Sequence, residues 1–593
     1  MENLGNELNR YYANKVKNNL VKDTRITEVQ PQKFDCDGAK VANMELKNKY
    51  VFANFTDAEF FDCGEVTRHF FDFYKKIAKS DVGLIFTGGV YGIYDLVGLH
   101  NVPVIFNNNK HKKQFIDFTQ AIHTSGAKIM LTLKPNFGCC NDNAKLFNAL
   151  LGSASFNKNY YDSRVICGRL SDQRCNEIAN RFKGLSRFAK DCNFDGVLVD
   201  GGLDEVLGEF SSKEFNRRQL GYFAEIYDLP VKCVKSIVTE VGNYPIIYKF
   251  NLQTFFKDVY DDNLKQISTL KMINKFSLIE QVVDLLGRLV KAGVDVFFVR
   301  LGARETEFLS EHNSLETVGL FSDYFDLLTN TLDELDIKNK FGEKVKFVID
   351  YDSFVSGNNN DYLCDITKNL YADKDFIIKQ KTQKLIKKCI KCNKCVDFKQ
   401  KYNRIECLIN PELKDEIKHF QDKNCKENIA IVGGGVSGMV CALTLAKRGI
   451  KCDLFEQDNV LNKKGENCDV FGYDQSLKNY NDYLKCEILK NAKNNKINLK
   501  LCTKFEYDTN LIKNYTTIVV ATGSHEKFLN SNGAVQKHVK SIYDVLSNKQ
   551  HIAKVDTIAI YAKFKDSLSL SDIFNDSKCL HNFSVLWFLG ANI

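Results

Sequence analysis

Asn428-Ile429-Ala430-Ile431-Val432-Gly433-Gly434-Gly435-Val436-Ser437-Gly438 reads as a strand, a glycine turn and the start of a helix. Asn428–Val432 is a short apolar run of the kind that forms a buried strand. Val436–Lys447 follows as a helix ended by Gly449. Lys451–Glu456 is a second strand, and Thr516–Ala521, followed by Thr522-Gly523-Ser524, a third. This order opens a doubly wound nucleotide-binding fold. Gly433 allows the tight turn, Gly435 lets backbone approach a pyrophosphate, and Gly438 lets helix and strand pack closely. The helix N-terminus then faces the phosphates with its partial positive charge. Glu456 ends the second strand, where an acid binds ribose hydroxyls. The expected ligand is FAD or another adenine dinucleotide; the alternative is a fold kept without its ligand.

Just upstream stand four cysteines: Cys389-Ile390-Lys391-Cys392-Asn393-Lys394-Cys395, and then Cys407-Leu408-Ile409-Asn410-Pro411. Two-residue gaps let a tight loop aim three thiolates at one point, and the fourth returns from the next loop. Such a set holds a cubane 4Fe-4S cluster or a zinc ion. A redox metal beside a dinucleotide site points to electron transfer.

Further upstream, short apolar runs alternate with amphipathic stretches. Candidate strands are Tyr50–Asn54, Val82–Thr87, Lys128–Leu133, Gly196–Val199, Pro245–Phe250, Val294–Val299 and Val345–Ile349, with an eighth expected around Asp365–Tyr371. Glu177–Cys192 and Ile279–Lys291 are amphipathic segments between them. Repeated strand–helix units argue for a (β/α)8 barrel. The predicted class is therefore α/β: an N-terminal TIM barrel, an iron–sulfur segment and a C-terminal Rossmann-like domain. The expected boundaries are 1–40 for an extension, 41–380 for the barrel, 381–425 for the iron–sulfur segment and 426–593 for an incomplete FAD- or ADP-binding domain.

The 593 residues allow two to four domains, and 44% hydrophobic with 26% charged is an ordinary globular balance. A net charge of +8, with lysines mixed among acids, describes a solvated surface and argues against a nucleic-acid track. No apolar run reaches the ~20 residues of a membrane span. The polar start, Met1-Glu2-Asn3-Leu4-Gly5-Asn6, lacks the apolar core of a signal peptide. With 20 cysteines and no such signal, the expected compartment is cytoplasmic and reducing, without disulfides.

With the cysteines and the glycine turn in view, residues 44–545 resemble the iron–sulfur flavoenzymes related to bacterial 2,4-dienoyl-CoA reductase and trimethylamine dehydrogenase, with an old-yellow-enzyme-like barrel at the front. Asp62-Cys63-Gly64-Glu65-Val66-Thr67, Phe194-Asp195-Gly196-Val197 and Ala292-Gly293-Val294-Asp295 fall in the family's order. Glu209-Phe210 with Asn216-Arg217-Arg218 is closer to the dienoyl-CoA reductase branch. The resemblance implies an NADH:flavin oxidoreductase with FMN at the barrel mouth, a cluster beside it and FAD or ADP in the second domain. It implies a small organic substrate such as an enoyl or dienoyl thioester or an amine, and it leaves open an electron-transfer protein partner and a homo-oligomer. Lys387, Lys388, Lys391 and Lys394 would offset the charge of an anionic cluster.

The chain also departs from the family. Thr132 stands where the family offers Gln to the flavin ring, and Pro135 stands near its His. Lys249 and Lys368 replace two flavin-binding arginines, keeping charge without the bidentate fork. Val348-Ile349-Asp350-Tyr351-Asp352 replaces a glycine-rich phosphate turn. The family's catalytic residues do not carry over; His312 is a weak candidate proton donor, and Glu209 reads as structural. After the expected strand Thr557–Tyr561, Ala562-Lys563-Phe564-Lys565-Asp566 has no glycine turn, so NAD(P)H is not expected in the C-terminal domain. The competing expectation is a catalytically degenerate paralogue serving as a scaffold or electron-relay subunit.

Overall fold

The computed structural model describes residues 38–523, apart from 54–59, 63–64, 92–108, 136–151, 159–165, 203–204, 214, 252–278, 301–327, 351–361, 393, 396–397, 399–404, 414–426, 464–474 and 507–508. The chain divides into two compact units, Met1–Glu416 and Ile417–Ile593.

Eight parallel strands build the first unit: β1 Tyr50–Phe52, β2 Leu84–Phe86, β3 Lys128–Lys134, β4 Gly196–Asp200, β5 Ile246–Asn251, β6 Val296–Arg300, β7 Lys346–Asp350 and β8 Tyr362–Asp365. Each pairs with the next. β8 pairs with β1, so the sheet closes into a barrel. Between β3 and β4 the register runs from Met130 opposite Gly196 to Leu133 opposite Val199. Alternate side chains point inward. Val51, Leu84, Met130, Leu198, Ile247 and Val348 share one buried core. The hairpin Ala39–Val41 and Met44–Leu46 adds Val41, Met44 and Leu46 to that core. Lys346, which begins β7, donates to the Lys40 carbonyl, so this hairpin plugs the N-terminal end.

A second core lies between strands and helices. Its helices include α1 (Arg68–Ala78), α2 (Asn109–His123), α3 (Asp172–Asp191), the short α4 (Val206–Phe210), α5 (Asp228–Val241) and α6 (Ile279–Ala292). The Ser171 hydroxyl caps α3 by accepting from the Arg174 N–H at 3.2 Å. Phe182, Leu185 and Phe188 then form its buried stripe.

The two Asp-containing loops do the same work. The Asp195 N–H donates to the Ile129 carbonyl at 2.8 Å while its carboxylate accepts from the Ile129 N–H at 2.9 Å. Asp295 makes the matching pair with Ile246, both bonds at 2.9 Å. Each aspartate clips the start of its own strand to the preceding one. Lys128 (2.9 Å) and Lys340 (3.1 Å) balance their charges.

All seven expected strands form. The eighth is displaced: β8 ends at Asp365, and α7 occupies Thr367–Ala372, followed by α8 Phe376–Lys381. The cause is local. The Asp365 carboxylate accepts from the Thr367 N–H at 3.0 Å and from its hydroxyl, turning the chain out of the sheet and into the helix.

The second unit is a parallel sheet of β9 Ile429–Val432, β10 Cys452–Phe455, β11 Ile497–Lys500 and β12 Thr517–Val520, in the order β11-β10-β9-β12. Helices α9 (Val436–Lys447) and α10 (Gln475–Lys493) accompany it. Among the described residues no helix is long and apolar enough to cross a membrane.

Candidate functional site

The top layer inside the barrel is charged. Thr132 and Lys134 continue the inward row of Met130, Asp200 that of Leu198, and Lys249 that of Ile247. Lys249 Nζ lies 3.0 Å from Asp200 Oδ1 and 3.1 Å from Oδ2. Lys134 Nζ lies 2.6 Å from Glu205 Oε1 and 4.0 Å from Asp200. The Tyr91 hydroxyl donates to the same Glu205 oxygen at 3.3 Å. Across the mouth, Arg300 is 3.6 Å from Asp365. Burial alone would push the Asp200 carboxyl up. The ammonium groups of Lys249 and Lys134 outweigh that and hold it below the ordinary carboxylate range.

Thr132 is fully buried. Its hydroxyl donates to the Thr87 carbonyl at 2.7 Å and its N–H to the Thr87 hydroxyl at 3.1 Å. Its donor is therefore already engaged. Lys249 sits at the mouth as expected, tied to Asp200. Lys368 lies in the first turn of α7 near the cysteine segment, within charge range of Cys392. His312, the 351–352 part of the altered phosphate turn and the expected strand Thr557–Tyr561 lie outside the described residues. Glu209 is fully buried and accepts from the Ser153 hydroxyl and, at 3.1 Å, from the Ala154 N–H; it holds a loop.

Cys389, Cys392, Cys395 and Cys407 are all half-buried, and Cys395 and Cys407 pack against the barrel core. Lys391 has a left-handed backbone (φ 53°) that turns its N–H onto Cys389 Sγ at 3.4 Å. Asn410 Nδ2 donates to the Tyr371 carbonyl at 2.7 Å, anchoring the loop that returns Cys407. Among the described residues, no three His, Cys, Asp or Glu side chains converge closely enough to hold a metal ion. The thiol set and its backbone donors fit a sulfur-ligated centre by chemistry. Completing it requires the side chains to close around the metal.

At the glycine turn, Gly433 has φ +111°, and a Cβ there would come within 2.4 Å of the Ala521 carbonyl oxygen. A Cβ on Gly438 would lie 1.8 Å from the Gly433 oxygen. Only glycine fits either place. Gly435, at the N-cap of α9, has open space on that side, as a site for close approach needs. Glu456 Oε2 accepts from the Gly434 N–H at 2.7 Å, and Oε1 accepts from the Asp458 N–H at 3.0 Å. The acid is thereby aimed at the turn.

Sequence reasoning gave no role to Lys134, Asp200, Glu205 or Tyr91. A signal existed: a charged residue terminates each of the apolar runs Leu131–Lys134, Val197–Asp200 and Ile246–Lys249.

Residues 38–323 match the NADH:flavin oxidoreductase / NADH oxidase family, and residues 427–561 match pyridine nucleotide-disulphide oxidoreductase. An NADH:flavin oxidoreductase domain thus precedes a pyridine nucleotide-disulphide oxidoreductase domain in this chain. It is 26% identical to cinnamate reductase of Clostridium sporogenes, over 87% of this chain and 78% of that protein. It is 23% identical to NADH oxidase of Thermoanaerobacter brockii, over 88% and 78%. A solved structure of 2-naphthoyl-CoA reductase with 2-naphthoyl-CoA superposes with a TM-score of 0.63 at 19% identity, over 87% of this chain and 78% of that one, a likeness of fold. As an NADH:flavin oxidoreductase, the protein is a flavin-dependent enzyme.

Proposed function

We propose that this oxidoreductase reduces a carbon–carbon double bond conjugated to a carbonyl group in a small organic substrate. The supporting observation is the closed barrel whose C-terminal mouth holds Lys134, Asp200, Glu205 and Lys249 in one buried charge cluster. Barrel enzymes place their chemistry at that end. The names of two relatives, cinnamate reductase and 2-naphthoyl-CoA reductase, agree with an activated double bond as the target.

In this reading FMN occupies the mouth. Lys249 supplies positive charge to it, Thr132 an acceptor oxygen, and Lys368 a second cation nearby. The cations suit an electron-rich flavin edge or its phosphate. Gly433, Gly435 and Gly438 admit the pyrophosphate of FAD or ADP, and Glu456 takes the ribose hydroxyls. Cys389, Cys392, Cys395 and Cys407 hold a 4Fe-4S cluster. Bound flavin supplies hydride chemistry, and a cluster passes electrons singly. The protein's own contribution is to keep water away from the mouth, to fix the two lysines by their carboxylates and to present thiols with backbone donors around them. The electrons come from NAD(P)H at the barrel or from a partner protein.

Anaerobically purified protein tests this reading. Released flavin separated by chromatography should include FMN, with FAD or ADP as a second nucleotide, and iron should accompany acid-labile sulfide. A colourless protein carrying zinc and no flavin would overturn it.

A further inference from the structure

At the mouth, the two signs of charge are not equally accessible. The Lys134 side chain is 19% exposed, whereas Glu205 is at 0% and Asp200 at 1%. The carboxylates are closed off from solvent, and the lysine is the member of this trio that solvent reaches.

Lys134 is also held on several sides. Glu205 takes its head at 2.6 Å. The Tyr91 ring faces the head with its centroid 5.7 Å from Nζ, and the Tyr91 hydroxyl braces Glu205. Gly89 lies flat along the stem: a Cβ there would stand 2.4 Å from Lys134 Cε and 2.5 Å from Cδ. A buried ion pair seldom adds net stability over an apolar pair of the same volume. A glycine is therefore used, at the functional end of the barrel, to seat a lysine that the fold does not require.

We propose that Lys134, seated by Gly89, Tyr91 and Glu205, is the specificity residue that recognises an anionic group on the substrate, so that the barrel takes unsaturated carboxylates over neutral amides and over amines. The proposal rests on the reading of the mouth as the substrate site. A lysine that solvent partly reaches offers an anion a charge-assisted hydrogen bond that a neutral amide cannot match. A cationic amine would meet like charge.

The probes are 3-phenylpropionate and 3-phenylpropionamide, titrated calorimetrically into the flavin-loaded full chain. The wild type should bind the acid more tightly. Lys134→Met should lose about 10- to 100-fold in affinity for the acid with little change for the amide. Gly89→Ala retains every charge and should fold; the added methyl pushes the flexible lysine stem aside, so it should lose acid affinity in the same direction by a smaller factor. Glu205→Gln removes the competing carboxylate and should tighten binding of the acid. Equal binding of acid and amide by the wild type, or equal losses for both in Lys134→Met and Gly89→Ala, would overturn the proposal. Flavin content and bleaching by NADH, read on the same preparations, separate the two levels. Bleaching without acid preference sinks only the role of Lys134, whereas absence of flavin sinks the underlying reading as well.

Discussion

The barrel mouth and the glycine turn meet charged ligands by opposite means. At the turn, side chains are removed: Gly433 and Gly438 leave no room for a Cβ, Gly435 leaves open space, and Glu456, a charged group at the turn, is bonded to the Gly434 N–H. At the mouth, charge is concentrated in long side chains from separate strands, each neutralised by a buried carboxylate. A backbone site is rigid, and its N–H donors do not titrate. A site of paired side chains can be retuned by single substitutions, at a cost in desolvation. Substrate range in this oxidoreductase should therefore evolve at the mouth.

The contrast can be broken by substitution. Asp200→Ala leaves Lys249 deep in the barrel without its carboxylate and should destabilise the first unit by about 3–5 kcal/mol. Asp200→Leu combined with Lys249→Met should recover most of that loss while abolishing flavin retention; urea unfolding and released-flavin analysis read the two effects. Gly438→Val drives a side chain into the Gly433 carbonyl and should cost the second unit about 3 kcal/mol. Barrel flavin should be retained, and the adenine nucleotide lost. Gly435→Ala should barely move stability yet still weaken nucleotide retention, because its methyl occupies open space. The smallest effect belongs to Glu456→Gln, about 1 kcal/mol, since the amide oxygen can still accept from Gly434.

Acid should affect the barrel through its aspartates. Burial opposes ionisation of Asp195, but His123, the Ile129 N–H and Lys128 prevail and hold it below its ordinary 3.8. Asp200 is likewise depressed. A depressed carboxyl contributes stability that is complete above the unfolded value and is lost as pH falls through the folded one. Asp295 works the other way, because burial raises it to about 6, so urea midpoints of the barrel should rise slightly from neutral pH towards about pH 5 and fall below about pH 4. Asp195→Asn should flatten part of that fall.

Much of the fold was legible because it is written locally. Runs such as Lys128–Leu133 and Gly196–Val199 announce buried parallel strands, and the glycine turn carries its geometry in consecutive residues. The eighth strand was misplaced because Asp365-Ile366-Thr367, a polar turn into a helix, was read as sheet. The mouth was less legible. Lys249 could be named, but its pairing with Asp200 spans 49 positions, and that of Lys134 with Glu205 spans 71. Only the parallel pairing of neighbouring strands brings such residues together. Thr132 could be placed at the flavin position, but the engagement of its hydroxyl with Thr87 depends on the neighbouring strand's end.

The most direct test is anaerobic titration of the purified full-length protein with NADH while the flavin absorbance near the blue edge of the visible spectrum is followed. An NADH:flavin oxidoreductase with a loaded barrel mouth should bleach stoichiometrically and recover its colour on adding an unsaturated carboxylate. Protein whose bound flavin, once reduced by NADH or by dithionite, is not reoxidised by any conjugated double bond would contradict the account.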